Sequence, residues 1–277
     1  MKKWFVTGVS SGLGRALAVG ALGAGDVVAG SVREAAARDE FIALDPEHAH
    51  AFIMDVTDRD AVTEVMQAAD EAVGGIDVLV NNAGVSLEGT IEETGWTEIL
   101  EQFQVNVFGP VAVMKALLPA MRKRRRGLIV NITSLAGYAT GGGTGFYGGA
   151  KLALEGISKS LAKECAPFGI EVMIVIPGAF RTALGANRRA APDGIADYTA
   201  QNEARRVRLA ALSGQQRGDP SRAAQAILAA VNATPPPRRL VVGVDAADYI
   251  AADLAAFGEE LARWNTISRA TDFLEKT

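Results

Sequence analysis

Short apolar runs alternate with longer helical patterns along most of the chain, and this alternation restricts the fold more than any single motif. "WFVTG", "DVVAGSV", "AHAFIMDV", "IDVLVNNAG", "GLIVNITS" and "IEVMIVIPG" come in succession, and each of the first five is followed by a helical segment. The runs are rich in Val and Ile with little polar alternation, as strands covered on both faces must be. Strand–helix–strand repetition with short connections implies right-handed crossovers. The expected class is therefore α/β, a doubly wound parallel β-sheet with helices on both faces. Residues 180–219 break the rhythm with Ala, Arg, Gly and Asn, and read as a lid inserted over the C-terminal edge of the sheet. A helix ("PSRAAQAILAAV"), a last strand (in "PPPRRLVVGVD") and an amphipathic helical tail at about 245–277 complete the chain. Neither a repeat nor a linker divides it, so residues 1–277 are expected to form a single domain.

Composition narrows the function. With 49% hydrophobic and 22% charged residues, a chain of 277 can bury a substantial core. A formal net charge of -4 supplies no field that would recruit nucleic acid or an anionic membrane. Cys165 is the lone cysteine and His48 and His50 the only histidines, so a disulfide, a metal site and histidine-centred catalysis are not expected. In "MKKWFVTG" two lysines precede an apolar run too short for a signal peptide. No apolar stretch looks long enough to cross a bilayer, so the expected compartment is the cytoplasm and no membrane partner is foreseen. The basic run Met121–Gly127 ends a long helix expected over about Trp96 to Arg125. Cations there favour the helix dipole, and nucleic-acid contact is not expected.

"FVTGVSSGLGRALA" sets Thr7, Gly8, Gly12 and Gly14 between the first strand and the first helix. Glycines let a backbone approach a pyrophosphate, and a helix N-terminus offers free N–H groups and partial positive charge. Ser10, Ser11 and Leu13 fall in the same turn. Gly8–Gly12 also matches G-x-S-x-G, the nucleophile elbow of hydrolases. That chemistry needs a histidine from a late loop and an earlier strand for the oxyanion hole, and the chain offers neither.

Further along, Asn81-Asn82-Ala83-Gly84 ends the fourth strand and Asn106 lies in the long helix. Ser134 ends the fifth strand, thirteen residues before Tyr147, and Lys151 follows Tyr147 by four. Pro177-Gly178 ends the sixth strand and Thr182 follows. This ordered set, with the glycine loop, resembles the short-chain dehydrogenase/reductase family over roughly Lys3 to Val242. Tail length and "DPSRAAQAI" look most like members related to 17β-hydroxysteroid dehydrogenases. The resemblance implies a Rossmann fold of about seven strands and hydride transfer between a nicotinamide cofactor and an alcohol or carbonyl.

A phenol with an ordinary pKa near 10 is a reluctant acid at neutral pH, and a neighbouring cation lowers that value. Lys151, one helical turn from Tyr147, is placed to do so. By resemblance, Tyr147 is the general acid or base, Ser134 steadies the substrate oxygen, and Asn106 anchors a water relay to Lys151. Lys151 also holds the nicotinamide ribose. Gly148 and Gly149, between Tyr147 and Lys151, cost a helix roughly 1 kcal/mol each. They are expected to admit a backbone, a partner helix or the substrate.

At the end of the second strand, Ser31 stands near the position where an acid would favour NAD, and Arg33 follows. A neutral residue and an arginine suit a 2′-phosphate, so NADP(H) is favoured over NAD(H), with Ser11 and Arg33 as phosphate contacts. Asp55 and Val56 match the adenine-contacting pair, and Asn81, Ala83 and Gly84 the stretch along the cofactor. Pro177, Gly178 and Thr182 complete the cofactor set. Ser86, Leu87, Ser134, Tyr138, Phe146 and Phe180 are the expected substrate walls. Tyr138 is the rival phenol, but it lacks a lysine four residues on. Arg181, Arg188, Arg189, Arg205, Arg206 and Arg208 make the insertion basic. Paired arginines on a solvated lid are favoured there over an anion site. Gly141, Gly142 and Gly143 give the loop before Tyr147 unusual freedom.

The expected function is an NADP-dependent oxidoreductase interconverting a secondary alcohol and a ketone or aldehyde. The competing reading is a catalytically idle Rossmann protein that senses the cofactor. A small-molecule alcohol or carbonyl and a second copy of the chain, as homodimer or homotetramer, are the expected partners.

Overall fold

Trp4 and Val6 point to one side of the first strand and Phe5 to the other, and two hydrophobic cores grow from that alternation. The computed structural model describes residues 1–182, 184, 188–192 and 194–273. Residues 183, 185–187 and 193 of the expected lid, and 274–277 of the tail, lie outside the described residues. The central sheet holds β1 (Lys3–Thr7), β2 (Val27–Val32), β3 (Ala49–Ile53), β4 (Val78–Asn81), β6 (Gly127–Ile132), β7 (Ile170–Pro177) and β9 (Arg239–Val242). Its order is β3-β2-β1-β4-β6-β7-β9, parallel throughout. This is the doubly wound Rossmann-type sheet. The chain winds outward in both directions from β1 and β4, which leaves a crevice at their C-terminal ends.

On one face, α1 (Gly12–Gly23) and α8 (Pro220–Val231) bury Leu17, Ala18, Ala21, Ala224 and Ile227 against Val6, Val28 and Val80. On the other, α3 (Arg59–Ala72) and α5 (Gly109–Arg124) set Val62, Met66, Val113 and Leu117 against Phe5, Leu79 and Ile129. The shorter α2 (Ala35–Ile42) leads into β3. α6 (Gly145–Cys165) packs along β7 and carries the Tyr147–Lys151 pair.

The long helix expected over Trp96–Arg125 is present but not uniform. α4 (Trp96–Phe103) passes through one π turn (Gln104–Phe108) into α5. Pro110 has no N–H to give the carbonyl four residues back, so the α-helical ladder is broken where the wide turn forms. Trp96–Arg124 is thereby a 29-residue helix, long and apolar enough to cross a bilayer by length and composition. This corrects the expectation that no stretch is long enough. Its C-terminal half enters the core through Val113, Met114, Leu117 and Met121, while Trp96, Leu100 and Phe108 are exposed. The basic run at its end is engaged within the fold. Arg124 forks onto Asp70 at 2.7 and 3.0 Å, Arg125 lies over the Phe168 ring, and Arg126 reaches Asp77.

The 180–219 segment contains β8 (Arg189–Ala190), which pairs with β5 (Leu87–Glu88), and α7 (Thr199–Leu212). Glu93 ties it down. Its carboxylate accepts from Asn202 Nδ2, Thr90 Oγ1 and the backbone N–H groups of Ile195 and Gly194 at 2.7–3.2 Å. Those bonds, Asn202's foremost, pull its pKa to about 2. The last helix, α9 (Val244–Arg269), buries only Ala246 and Ile250.

The two glycines of α6 behave differently. A Cβ on Gly148 would collide with the Ala136 carbonyl and Thr140 Cγ2, so the bare backbone lets α6 press on the turn that carries Ser134. A Cβ on Gly149 would meet nothing within 4 Å. Gly149→Ala should therefore stabilise the protein by about 0.5–1 kcal/mol through helix propensity. Gly148→Ala should cost about 1–3 kcal/mol through overpacking. Urea midpoints of the two variants check both signs.

Candidate active site

The crevice at the switch point opens into a cavity of about 1180 Å³. Its floor is the β1–α1 turn. Gly8 and Gly12 hold φ of +75° and +60°, values a side chain would strain. A Cβ on Gly14 would run into Asn82 Nδ2 and Gly8 O, so this glycine does not line the cavity but lets α1 close against β4. Ser11 caps α1 without a side-chain bond, leaving the first N–H groups of the helix turned to the turn itself. Thr7 Oγ1 accepts from the backbone N–H groups of Asn82 and Ala83, both at 2.9 Å, and Asn82 Nδ2 donates to Thr7 O. This bracing keeps the turn open.

Gly8, Ser10, Ser11, Gly12, Leu13, Ser31, Arg33, Asp55, Val56, Ala83 and Gly84 line this cavity. So do Ser86, Asn106, Ser134, Tyr147, Lys151, Pro177, Gly178, Phe180 and Thr182. Asn81, Leu87, Tyr138 and Phe146 do not. Asn81 turns into the protein, where its Nδ2 donates to Asn131 Oδ1 at 2.8 Å. Asn131 Nδ2 donates in turn to Ser158 Oγ at 2.7 Å, and Ser158 to the Leu154 carbonyl on α6. A polar thread thus joins β4, β6 and α6 under the apolar layer. Tyr138 gives its hydroxyl to the buried Glu155 at 2.7 Å and packs with Ile174, Ile176 and Ile250. Burial and then that carboxylate push its pKa far up. It is a structural phenol, not a pocket wall. Leu87 is buried within β5, and its neighbours Ser86 and Glu88 face the cavity instead.

The four catalytic candidates come from three places in the fold: the end of β6, α6 and the π turn. Ser134, extended at the end of β6, accepts from Ala136 N–H at 3.1 Å. Tyr147 and Lys151 lie one turn apart on α6, both buried. Lys151 Nζ donates to the Ile132 carbonyl at 3.0 Å. Asn106, in the π turn, accepts from Val85 N–H at 3.2 Å and donates to the Val85 and Gln102 carbonyls at 2.8 and 3.1 Å. The Gly84 position separates Asn106 from Lys151, for a Cβ there would lie 2.7 Å from Asn106 Oδ1 and 3.4 Å from Lys151 Nζ.

Burial dominates the electrostatics. It drives the Lys151 ammonium down to about 8. It also raises the Tyr147 phenol, against a hydrogen bond from Ser134 and the charge of Arg188, which pull the other way. The expected cation acting on Tyr147 was Lys151. Arg188 adds to the downward pull on the phenol, while the Lys151 ammonium donates to the Ile132 carbonyl. Arg188 Nε lies 2.6 Å from Glu88 Oε1. Burial raises the Glu88 carboxyl while Arg188, Arg205 and Arg208 lower it. Arg189 pairs with Glu101 and Arg206 with Glu203, so among the described residues three of the six arginines named in the insertion are seen paired with carboxylates. Sequence reasoning missed Asn82, Arg188 and Asp245 as cavity residues. Asp245 accepts from Ala179 N–H at 2.8 Å and fills the space beside Gly178. Only Asn82 carried a sequence signal, as the other half of the Asn-Asn pair.

A glycine cradle at a helix N-terminus, joined in one cavity to a half-buried Ser and a buried Tyr, Lys and Asn, defines a dinucleotide-dependent oxidoreductase of the Rossmann class. The short chain dehydrogenase family model matches residues 2–193. Oxidoreductase BOA17 of Botryotinia fuckeliana is 34% identical over 273 residues, covering 98% of this chain and 99% of that protein. A short-chain dehydrogenase from Streptomyces avermitilis superposes with a TM-score of 0.88 at 40% identity, over 98% of this chain and 100% of that one. The NADP-bound structure of ElxO superposes at 0.73 with 27% identity, over 87% and 96% of the two chains. The chain belongs to the short-chain dehydrogenase/reductase family.

Proposed function

We propose that this protein is an NADP(H)-dependent oxidoreductase that interconverts a secondary alcohol and a ketone or aldehyde, with Tyr147 as general acid and base. The observation that carries the reading is the convergence of Ser134, Tyr147, Lys151 and Asn106 on the cavity that the glycine cradle floors. The cradle fits a dinucleotide. Positive φ at Gly8 and Gly12 and the excluded Cβ of Gly14 leave backbone where a pyrophosphate would lie. The bound nicotinamide would supply or accept the hydride. Ser134 would hold the substrate oxygen beside the Tyr147 hydroxyl. Burial keeps that phenol protonated at neutral pH, the form that gives a proton to a carbonyl oxygen. Lys151 would hold the ribose, with Asn106 anchoring a water relay behind it. Ser86 and Phe180 would face the substrate.

NADP preference rests on the end of β2. Ser31 is neutral, and its Oγ accepts from Gly8 N–H at 3.1 Å. Arg33 is exposed at the cavity's edge, free to fork onto a 2′-phosphate with Ser11 nearby. Asp55 and Val56 would border the adenine, and Ala83, Gly84, Pro177, Gly178 and Thr182 the rest of the cofactor. Arg33→Ala should weaken NADPH by about 10- to 100-fold and NADH by little, as loss of a charged hydrogen bond predicts. Fluorescence titration with both nucleotides checks it, and equal losses would overturn the assignment. We read the protein further as a single cytoplasmic domain, assembled as a homodimer or homotetramer. NADPH consumption with a panel of ketones and aldehydes tests the activity. Tight NADPH binding without turnover of any of them would favour a cofactor sensor.

A further inference from the structure

The last helix presents an exposed apolar face. Ala246 and Ile250 of α9 are buried, Ile250 against Ile174 and Ile176, but every residue from Ala251 to Arg269 is exposed. Leu254, Phe257, Leu261 and Trp264 continue from Ile250 in alternating steps of four and three. That spacing keeps side chains on one side of a helix and is the repeat by which two helices pack together. These four side chains are 51–60% exposed, with Ile267 at 61% and Tyr249 at 45% on the edge of the stripe. A helix end of this length without packing is marginal in water, and free monomers rarely show so long an apolar patch.

We propose that this stripe is an interface with a second copy of the chain, the two α9 helices packing face to face about a two-fold axis. The inference rests on the homo-oligomer reading above and assigns it a surface. Half-exposed side chains of this size offer on the order of 100 Å² each, so six give roughly 600 Å² per copy. The pair would bury about 1,200 Å², the lower bound of a stable interface. A repeat that matches itself is satisfied by isologous pairing without any further surface. The flanking charge opposes the main rival occupant. Asp248, Asp253, Glu259 and Glu260 outnumber Arg263 and Arg269 along the helix. Helices that lie on anionic bilayers carry the reverse balance.

The test uses the full chain. The stripe is exposed along its length within one copy, so Phe257→Asp with Trp264→Asp should leave the far-ultraviolet circular dichroism and NADPH affinity unchanged, while the melting temperature should lose its dependence on protein concentration. Sedimentation velocity should show the wild type as an oligomer and the double variant at half its mass. Hydrogen exchange of the 254–267 amides should be slowed at high protein concentration. It should speed up by about tenfold or more on dilution or in the variant. An oligomer whose mass the variant leaves intact overturns the α9 interface alone. A wild-type monomer overturns the homo-oligomer reading with it. Amides that exchange equally at every concentration, or a wild type that instead binds phosphatidylserine vesicles through α9, also overturn the proposal.

Discussion

Tyr147→Phe should reduce carbonyl turnover by about 10²- to 10⁴-fold, the range a positioned general acid supplies, and should leave NADPH affinity within about twofold of wild type. Only the hydroxyl is removed, and with it the hydrogen bond to Ser134. The ring stays in its buried seat on α6, packed as before. Stopped-flow turnover with the best carbonyl of a substrate panel, and titration of the nucleotide, separate the two effects. A variant that retains more than a tenth of wild-type turnover would move the proton donor elsewhere. Tyr138 is a poor heir, because Glu155 already holds its hydroxyl and the ring sits outside the cavity.

Lys151→Met should act in two opposite directions. Turnover should fall by about 10²-fold or more, since a charge at the heart of the site is lost. The cofactor-free protein should become more stable at pH 7. Lys151 is buried, and its pKa falls from 10.5 to about 8. Between those values the unfolded chain binds more protons than the folded one, so wild-type stability rises with pH across that window. The sign is the reverse of a stabilising salt bridge. A shift of that size corresponds to about 3 kcal/mol at most, less the bond to the Ile132 carbonyl. The stability gap between the Met variant and wild type should therefore be widest near pH 7 and shrink toward pH 10. Chemical denaturation at a series of pH values measures it. A gap that is flat with pH would mean that Lys151 is not buried as a strained cation.

These outcomes separate what the sequence displayed from what only packing could show. The parallel sheet was legible because a strand covered on both faces must be apolar on both, and the Val- and Ile-rich runs say so directly. The cradle was legible because few positions besides a strand–turn–helix phosphate site need glycines at that spacing. The π turn was not. One extra residue in a turn leaves the apolar periodicity of a helix nearly intact, and Pro110 alone is compatible with an ordinary helix start. Asn81 and Asn82 were inseparable for a related reason: in a sheet buried on both faces, alternation does not say which neighbour meets the cavity. Tyr138 and Phe146 were expected at the substrate because they flank Ser134 and Tyr147 in sequence. The turn after Ser134 and the twist of α6 carry both away from the cavity. Arg188 comes to the cavity beside the pairing of β8 with β5, a contact between residues about a hundred apart that no local pattern encodes.

The thread from Asn81 through Asn131 and Ser158 to α6 has a consequence for how such a molecule can change. It keys the rotation of α6 to the sheet. Turning the helix by one residue would strand three buried polar groups at once, and each costs on the order of 1–3 kcal/mol unpaired. The Tyr147 hydroxyl, the proposed proton donor, is thus indexed to the part of the protein least able to drift. The 189–212 segment is moored by the pairing of β8 with β5 and by the carboxylates Glu92, Glu93 and Glu101. New shapes of substrate can be accommodated by recutting those moorings while the proton donor stays in alignment.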